Sequence, residues 1–532
     1  MNKISRSAFL SLFALALTGA SDPETRLTVA LAPEVASADN AGRLLIFAEP
    51  ATPENSNADA VDFGRPGSKN VSVAARDVTS FGAGGRVTVD MTQMAFPQSF
   101  ADLAPGDYRL QVVFDPQGDY NYAGRGPGDL VSKVTTLRFP LASPPSISLD
   151  RQLPPESAQF DTAGLPPKAA EQIAASRSHL HDEQIISKAL THFRGTAGSV
   201  AAWVLTPPGY DPAAPKTYPT VYLAGGFGTT HKLDGQLLSQ TWHLMETGVL
   251  PPMIWVSLGH GTPRGTTEFV DSANNGPWGE ALVKDVIPAL EARYRMDAKP
   301  SGRFLTGHSS GGWFALSTIV RYPSLFGGAW ATSPDPVDFR DFLGVDLYAR
   351  GANMYRTADG APRPLERDEG KVRMTIEQAA KVETVLGHDG GQLRSFEWTF
   401  SPRAPGGTPA PMFDRRTGAV DPRVASYWRE NYDIGHRIET DWPRLKSDLD
   451  GKIHIAVGTA DSYYLDGSVH RLEEAMRRVG AKADFTFVPD ATHSMAEVYA
   501  GGGDRNALWK AMTRAMNAIA RPDKISRRHA PG

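Results

Sequence analysis

The chain of 532 residues carries 55 Lys and Arg against 59 Asp and Glu, a formal charge of −4, and no cysteine. Such a length exceeds one ordinary domain, and the near-balanced charge gives no electrostatic case for nucleic acid or an anionic membrane surface. Without cysteine, disulfides, thiolate catalysis and Cys-ligated metals are excluded outright.

Residues 1–20 read as an export signal: Lys3 and Arg6, then an apolar run from Ala8 to Leu17, then Thr18-Gly19-Ala20 before a polar start. That run is too short to span a bilayer comfortably, so cleavage after Ala20 and a periplasmic or secreted protein without stable membrane insertion are expected; an uncleaved anchor is the alternative. Residues 25–141 read as an all-β, sandwich-like domain. Alternation shows in Val87, Val89 and Met91 and in Tyr108, Leu110, Val112 and Phe114, and further strands are expected at Leu27–Leu31, Leu44–Ala48, Val71–Ala75 and Val134–Phe139. Its Gly-rich loop 118–126, with Tyr120, Tyr122 and Arg125, has the makings of a stacking surface for a sugar or aromatic ligand, and packed loop tyrosines are the plainer reading.

Residues 142–183 are rich in proline and read as a linker holding a short helix near Ala169–Arg177. From 184 to 524 strands and helices alternate, which predicts a wound α/β domain. Thr220–Leu223, apolar on both faces, reads as a central parallel strand, with Met253–Val256, Phe304–Thr306, Phe326–Ala331, Ile453–Val457 and Phe485–Val488 continuing the sheet. Glu280–Tyr294 reads as an amphipathic helix that Pro288 should bend. The stretch 333–451 is longer than a sheet crossover needs and is expected to form a lid or pocket insertion over the carboxyl ends of the strands.

The most specific signal is Gly307-His308-Ser309-Ser310-Gly311, entered from a short apolar strand and followed by a helical pattern. Strand, sharp turn and helix make this a nucleophile elbow, with glycine at both ends because a Cβ there would meet the neighbouring elements. Ser309 needs a base, and the base an orienting acid, in the chain order acid then histidine. Asp461 follows one expected strand and His493 the next; Asp335, Asp466 and Asp490 are rival acids, Asp335 foremost because it follows the strand after the elbow. The oxyanion donors are expected to be the backbone N–H groups of Ser310 and Phe227, with Gly226 the near alternative to Phe227. Gly226, His308, Tyr464 and Trp278 are expected to contact substrate. Among other pocket aromatics, Trp428, Tyr432 and Tyr463, core packing is the commoner role.

Taken together, Pro219–Gly228, Val249-Leu250-Pro251-Pro252, Ile287-Pro288, Tyr294-Arg295, the Gly307–Gly312 elbow, Tyr322-Pro323 and Phe326 resemble the putative esterase family of α/β hydrolases, which includes esterase D, feruloyl esterases, enterochelin esterases and mycolyltransferases. The resemblance covers about 184–520 and is densest through Phe326. It implies a serine ester hydrolase, acting on a small-molecule or polysaccharide-linked ester, whose acid and base map onto Asp461 and His493. Many members carry His-Gly where this chain has Gly225-Gly226, and the layout with a β-rich N-terminal domain is similar to that of enterochelin esterases without a residue match for that substrate. His231, His243 and His260 lack zinc-binding spacing, and no cofactor or metal is called for. The rival readings are an acyltransferase using the same triad, in which an alcohol replaces water, an envelope binding protein with an inert hydrolase domain, and a peptidase, for which the residues give no positive sign.

Overall fold

The structure is a computed structural model that describes residues 25–35, 40–63, 70–154, 162, 165–229, 231–494 and 506–522, with the backbone alone at 231–234. The expected export signal lies outside the described residues. Among these residues no helix is long and apolar enough to cross a membrane.

The described chain divides into two compact units: one runs to Phe114 and takes up Leu130–Arg151, and the other combines Asp115–Asp129 with everything from Gln152 onward. The first unit is all-β. Its strands are β1 (Arg26–Leu31), β2 (Asn40–Pro50), β3 (Ser72–Phe81), β4 (Arg86–Asp90), β5 (Ala95–Phe96), β6 (Gly106–Asp115), β7 (Leu130–Ser132), β8 (Thr135–Phe139) and β9 (Ser146–Gln152). They hydrogen-bond as one nine-stranded sheet in the order β4-β1-β9-β7-β6-β2-β3-β5, with β8 also on β6. The long strand β6 makes this possible: its first half pairs with β8 and its end with β7. Inward-facing Leu27, Val29, Leu44, Ile46, Leu110, Val112 and Phe114 form the core, as their period-two spacing requires. Strand β9 falls in the stretch read from its prolines as linker; Ile147 and Leu149, two residues apart and so on one face, are buried, and β9 pairs in parallel with β1.

Between β6 and β7 the chain leaves this unit. Asp115 turns it by accepting the N–H groups of Gln117, Gly118 and Tyr120 at 3.0, 2.7 and 3.0 Å. The Gly-rich loop therefore belongs with the second unit, although its sequence position puts it among the β-strands.

The second unit is a wound α/β domain. Its main strands are β10 (Leu180–Ser187), β11 (Gly198–Leu205), β12 (Thr220–Ala224) and β13 (Ile254–Leu258); after two short hairpins, β14 (Gly261–Thr262) with β15 (Gly265–Thr266) and β16 (Asp271–Ser272) with β17 (Gly276–Pro277), come β18 (Arg303–His308) and β19 (Gly328–Thr332). The insertion hairpin β20 (Pro364–Asp368) and β21 (Lys371–Thr375) precedes β22 (Ile453–Gly458) and β23 (Asp484–Val488). The eight-stranded sheet runs β10-β11-β13-β12-β18-β19-β22-β23, antiparallel over its first three strands and parallel thereafter. Parallel strands with helices on both faces are buried on both sides, and β12, β13 and β19 are wholly buried as their continuous apolar runs predict. Pro288 leaves its mark as expected: the helix around it is interrupted by a π-helical segment, Leu282–Val286, just before the residue that cannot donate to the preceding turn.

The 333–451 insertion carries the β20–β21 hairpin and helices Ile376–Leu386, Gln392–Phe400, Pro422–Tyr432 and Ile434–Leu449. It shares the catalytic core. Phe339, Phe342, Phe396, Phe400 and Trp428 pack ring on ring, and Trp313 of the helix after the nucleophile stands 4.8 Å from Phe400. Each buried Phe or Leu of this cluster contributes about 1.5–3 kcal/mol, so the insertion is welded to the nucleophile helix by apolar burial.

Candidate active site

Ser309 ends strand β18 and caps the helix Ser310–Arg321 with φ 56° and ψ −122°, a strained conformation for a non-glycine residue. The flanking glycines allow it. A Cβ at Gly311 would overlap the Ala224 carbonyl, and one at Gly307 would overlap the carbonyl of Gly311. The elbow is pinned by the Ser309 N–H donating to the Thr332 carbonyl at 3.0 Å. The helix aims its first N–H groups, which lack intrahelical acceptors, at this turn.

Asp461 and His493 lie on the loops after β22 and β23, and His493 Nδ1 meets Asp461 Oδ2 at 2.9 Å. Asp461 is fully buried. Burial alone would push its carboxyl up, but the hydrogen bond and charge of His493, with the N–H groups of Tyr463 and Leu465, outweigh that and hold it below the usual carboxylate range. Asp335, the foremost rival acid, does not reach the histidine's partner position. It accepts instead from the nucleophile: Ser309 Oγ donates to Asp335 Oδ1 at 3.2 Å, and Ser310 Oγ to Oδ2 at 2.7 Å. Asp466 faces Arg367 at 3.7 Å, and Asp490 is an exposed turn residue at φ 57°.

The oxyanion turn lies against the elbow. A Cβ on Gly226 would stand 3.3 Å from the Ser309 Cβ and 3.9 Å from its Oγ, so only glycine leaves this approach free. The turn is held by Thr229, whose N–H and hydroxyl both donate to the Gly226 carbonyl, at 3.1 and 2.7 Å. The Phe227 ring meets Tyr122 edge to face at 5.2 Å. Asn121 Nδ2 anchors that same loop to the carbonyls of Glu383 and Gly387 at 3.0 and 3.3 Å. The loop read as a ligand-stacking surface thus packs on the oxyanion turn.

The other expected contacts divide. His308 lies beside His493, ring centroids 4.6 Å apart, with Nδ1 3.0 Å from the Thr332 hydroxyl; burial and then the neighbouring His493 charge push it down to about 4, so it is neutral. Tyr464 lies in a left-handed conformation at φ 59° with the Arg367 guanidinium 4.4 Å over its ring. Its neighbour Tyr463, for which core packing is the commoner expectation, stands edge-on to His493 at 4.9 Å and exposed. Trp278 is a core residue: it is buried, packs on Phe269 at 5.5 Å and donates its indole N–H to the Asn275 carbonyl. Trp428 and Tyr432 are likewise buried in the core. His260 is buried and stacked on Phe269, and burial holds it down to about 4; the side chain of His231 lies outside the described residues.

Two positions beside the candidate site left no sequence signal. Arg367, on β20 of the insertion, donates from Nε to the Asp461 carbonyl at 2.9 Å and from Nη2 to the Thr459 carbonyl at 3.3 Å, while the Ser462 carbonyl accepts its backbone N–H at 2.8 Å. It clamps the acid loop from 94 residues away. Glu268 lies at the buried carboxyl of Asp335, in a turn where both it and Phe269 have positive φ, 52° and 49°. Such pairings arise from chain crossings that no local spacing records.

The arrangement joins a strained serine, a histidine held by a buried carboxylate and free backbone donors, a set suited to acyl transfer. Among solved structures the chain is similar to a ferulic acid esterase (16% identity, TM-score 0.37, spanning 64% of this chain and 98% of that one). It is also similar to the fluorophosphonate-binding serine hydrolase F of Staphylococcus aureus (11%, 0.36, 64% and 98%) and to an S-formylglutathione hydrolase from Agrobacterium tumefaciens (16%, 0.36, 63% and 94%). Among curated proteins none matches the sequence. The model of the family described as Putative esterase matches residues 196–518, more than half of the chain. The chain therefore belongs to the putative esterase family and is a serine esterase, a carboxylic ester hydrolase.

Proposed function

We propose that hydrolysis runs through an acyl-enzyme on Ser309, with His493 as base and Asp461 as its orienting acid. The observation that carries this reading is the 2.9 Å His493–Asp461 bond beside an elbow whose serine is held at φ 56°. Ser309 Oγ turns to His493, gives up its proton and bonds to the ester carbonyl carbon, while the N–H groups of Phe227 and Ser310 take the developing oxyanion. Collapse breaks the ester C–O bond, His493 returns the proton to the departing alcohol, and water activated by His493 then releases the acid. His308 and Tyr463 flank the histidine and would meet the substrate's leaving side. We further propose that residues 1–20 direct export; N-terminal sequencing of protein recovered from the cell envelope should begin after Ala20.

The test is labelling of the purified protein with a fluorophosphonate, wild type beside Ser309→Ala, followed by a nitrophenyl ester chain-length series. Labelling confined to wild type is expected. Equal labelling of both proteins, or of neither, would overturn the assignment of Ser309.

A further inference from the structure

Asp335 grips the elbow three times, twice at Ser309 and once at Ser310. Besides accepting the hydroxyls of Ser309 and Ser310, it donates its own N–H to the Ser309 carbonyl at 3.2 Å. It is 4% exposed, and Glu268 behind it is 0% exposed. Two buried carboxyls side by side cannot both ionise cheaply, because each charge is stripped of water and repels the other. The hydrogen bonds divide the roles. Asp335 accepts from two hydroxyls, which suits an anion, whereas Glu268 Oε2 has no N–H or O–H to accept from, which suits an oxygen that carries a proton itself. Asp335 is the carboxyl that Glu268 faces. Burial raises both carboxyls: the Glu268 carboxyl is held well above its usual range, by burial first and the Asp335 charge second, whereas at Asp335 the Ser310 and Ser309 hydroxyls and the His493 charge work against the rise. The turn that delivers Glu268 puts two successive non-glycine residues in the left-handed region, a local cost that the rest of the fold offsets.

We propose that Asp335, backed by Glu268, is a positioning residue for the reaction: it holds the Ser309 hydroxyl before substrate binds, and its negative charge stabilises His493 once the histidine has taken the serine proton. This rests on Ser309 and His493 acting as nucleophile and base. No carboxyl bond is made or broken: Glu268 keeps its proton, and the serine proton passes to His493. The charged and titratable groups facing Asp335 are Glu268, His493, Asp461 and Tyr463, with the neutral His308 packed on His493.

The experiment compares wild type, Asp335→Asn, Glu268→Gln and the double variant by nitrophenyl ester kinetics across pH, fluorophosphonate labelling and thermal melting. Asp335→Asn keeps the shape and an acceptor but removes the charge. It should lower kcat/KM by about 10- to 100-fold, the range for one hydrogen bond to a charged group. It should also move the acidic limb of the pH profile to lower pH, because protonated His493 loses a neighbouring anion. Glu268→Gln should give a smaller loss, and the double variant should be no slower than Asp335→Asn, since Glu268 acts through Asp335. An unmoved acidic limb, additive losses, or losses that track a fall in Tm would overturn the proposal. Should Asp335→Asn fail to fold, Asp335→Ser, which also removes the charge, carries the same pH comparison, and an unmoved limb there has the same meaning. These outcomes are separate from the nucleophile test: wild type that labels only at Ser309, with Asp335→Asn kinetically unchanged, sinks the positioning role alone.

Discussion

The nucleophile elbow and the acid–base loops are built by opposite means. The elbow is local: the continuous stretch Arg303–Arg321 supplies the strand, the strained serine, the two glycines that let Ala224 and Gly311 approach, and the helix. The acid–base arm is assembled from a distance, with Asp461 and His493 on separate loops and Arg367 reaching in from the insertion to hold the carbonyls of Asp461 and Thr459. Strain is stored where the backbone is over-determined by short contacts, and orientation is entrusted to side-chain hydrogen bonds where it is not. The two halves should therefore fail differently when disturbed.

The largest effect belongs to the nucleophile. Ser309→Ala should lower kcat by about 10⁶-fold with little change in Tm, as in other triads, and ester turnover followed spectrophotometrically checks it. At the other half, Asp461→Asn should leave His493 in place but badly oriented, lowering kcat by about 10⁴-fold, read in the same assay. Gly311→Ala attacks the elbow's backbone instead of its chemistry. The new Cβ would overlap the Ala224 carbonyl, so a loss of about 3 kcal/mol or more is expected in a denaturant melt, with activity falling alongside. Arg367→Ala is the counterpart for the distant arm. Losing its two hydrogen bonds to backbone carbonyls should lower kcat/KM by about tenfold while the melt moves little, and Arg367→Lys should restore part of it. A melt that collapses with Arg367→Ala would place the insertion hairpin in the fold's stability and not in the site's geometry.

The smallest effect concerns stability against pH. Because the folded protein holds the Glu268 proton more tightly than the unfolded chain does, this group's contribution falls as pH rises above the ordinary glutamate range, near 4.3, towards its raised folded value. Glu268→Gln should flatten that part of the profile, so its melting temperature gains on wild type as pH rises from about 5 to 8. A constant difference across that range would mean that the carboxyl ionises alike in both states.

Much of this was legible in the residues alone. Period-two alternation marked the β unit, continuous apolar runs marked β12, β13 and β18, and the elbow motif located Ser309, because each depends on neighbours a few residues apart along the chain. The order acid then histidine after the serine selected Asp461 and His493, which the structure brings within 2.9 Å. Tyr464 shows the limit. Spacing from Asp461 could not tell which of two adjacent tyrosines faces the histidine, and a single left-handed residue at φ 59° decides for Tyr463. Trp278 shows another limit, since an aromatic suits a pocket or a core equally well until its neighbours are known, and here they are Phe269 and Asn275.

The sequence by itself determined the fold class and singled out Ser309, Asp461 and His493 as the proposed nucleophile, acid and base, because strand period, glycine placement and chain order are local or ordinal properties. Tertiary structure alone decided that the loop 115–129 packs on the oxyanion turn, that Arg367 clamps the acid loop, and that Asp335 with Glu268 backs the serine. Those contacts join segments dozens to hundreds of residues apart, and burial, which sets the charge of each carboxyl, exists only once the chain has folded.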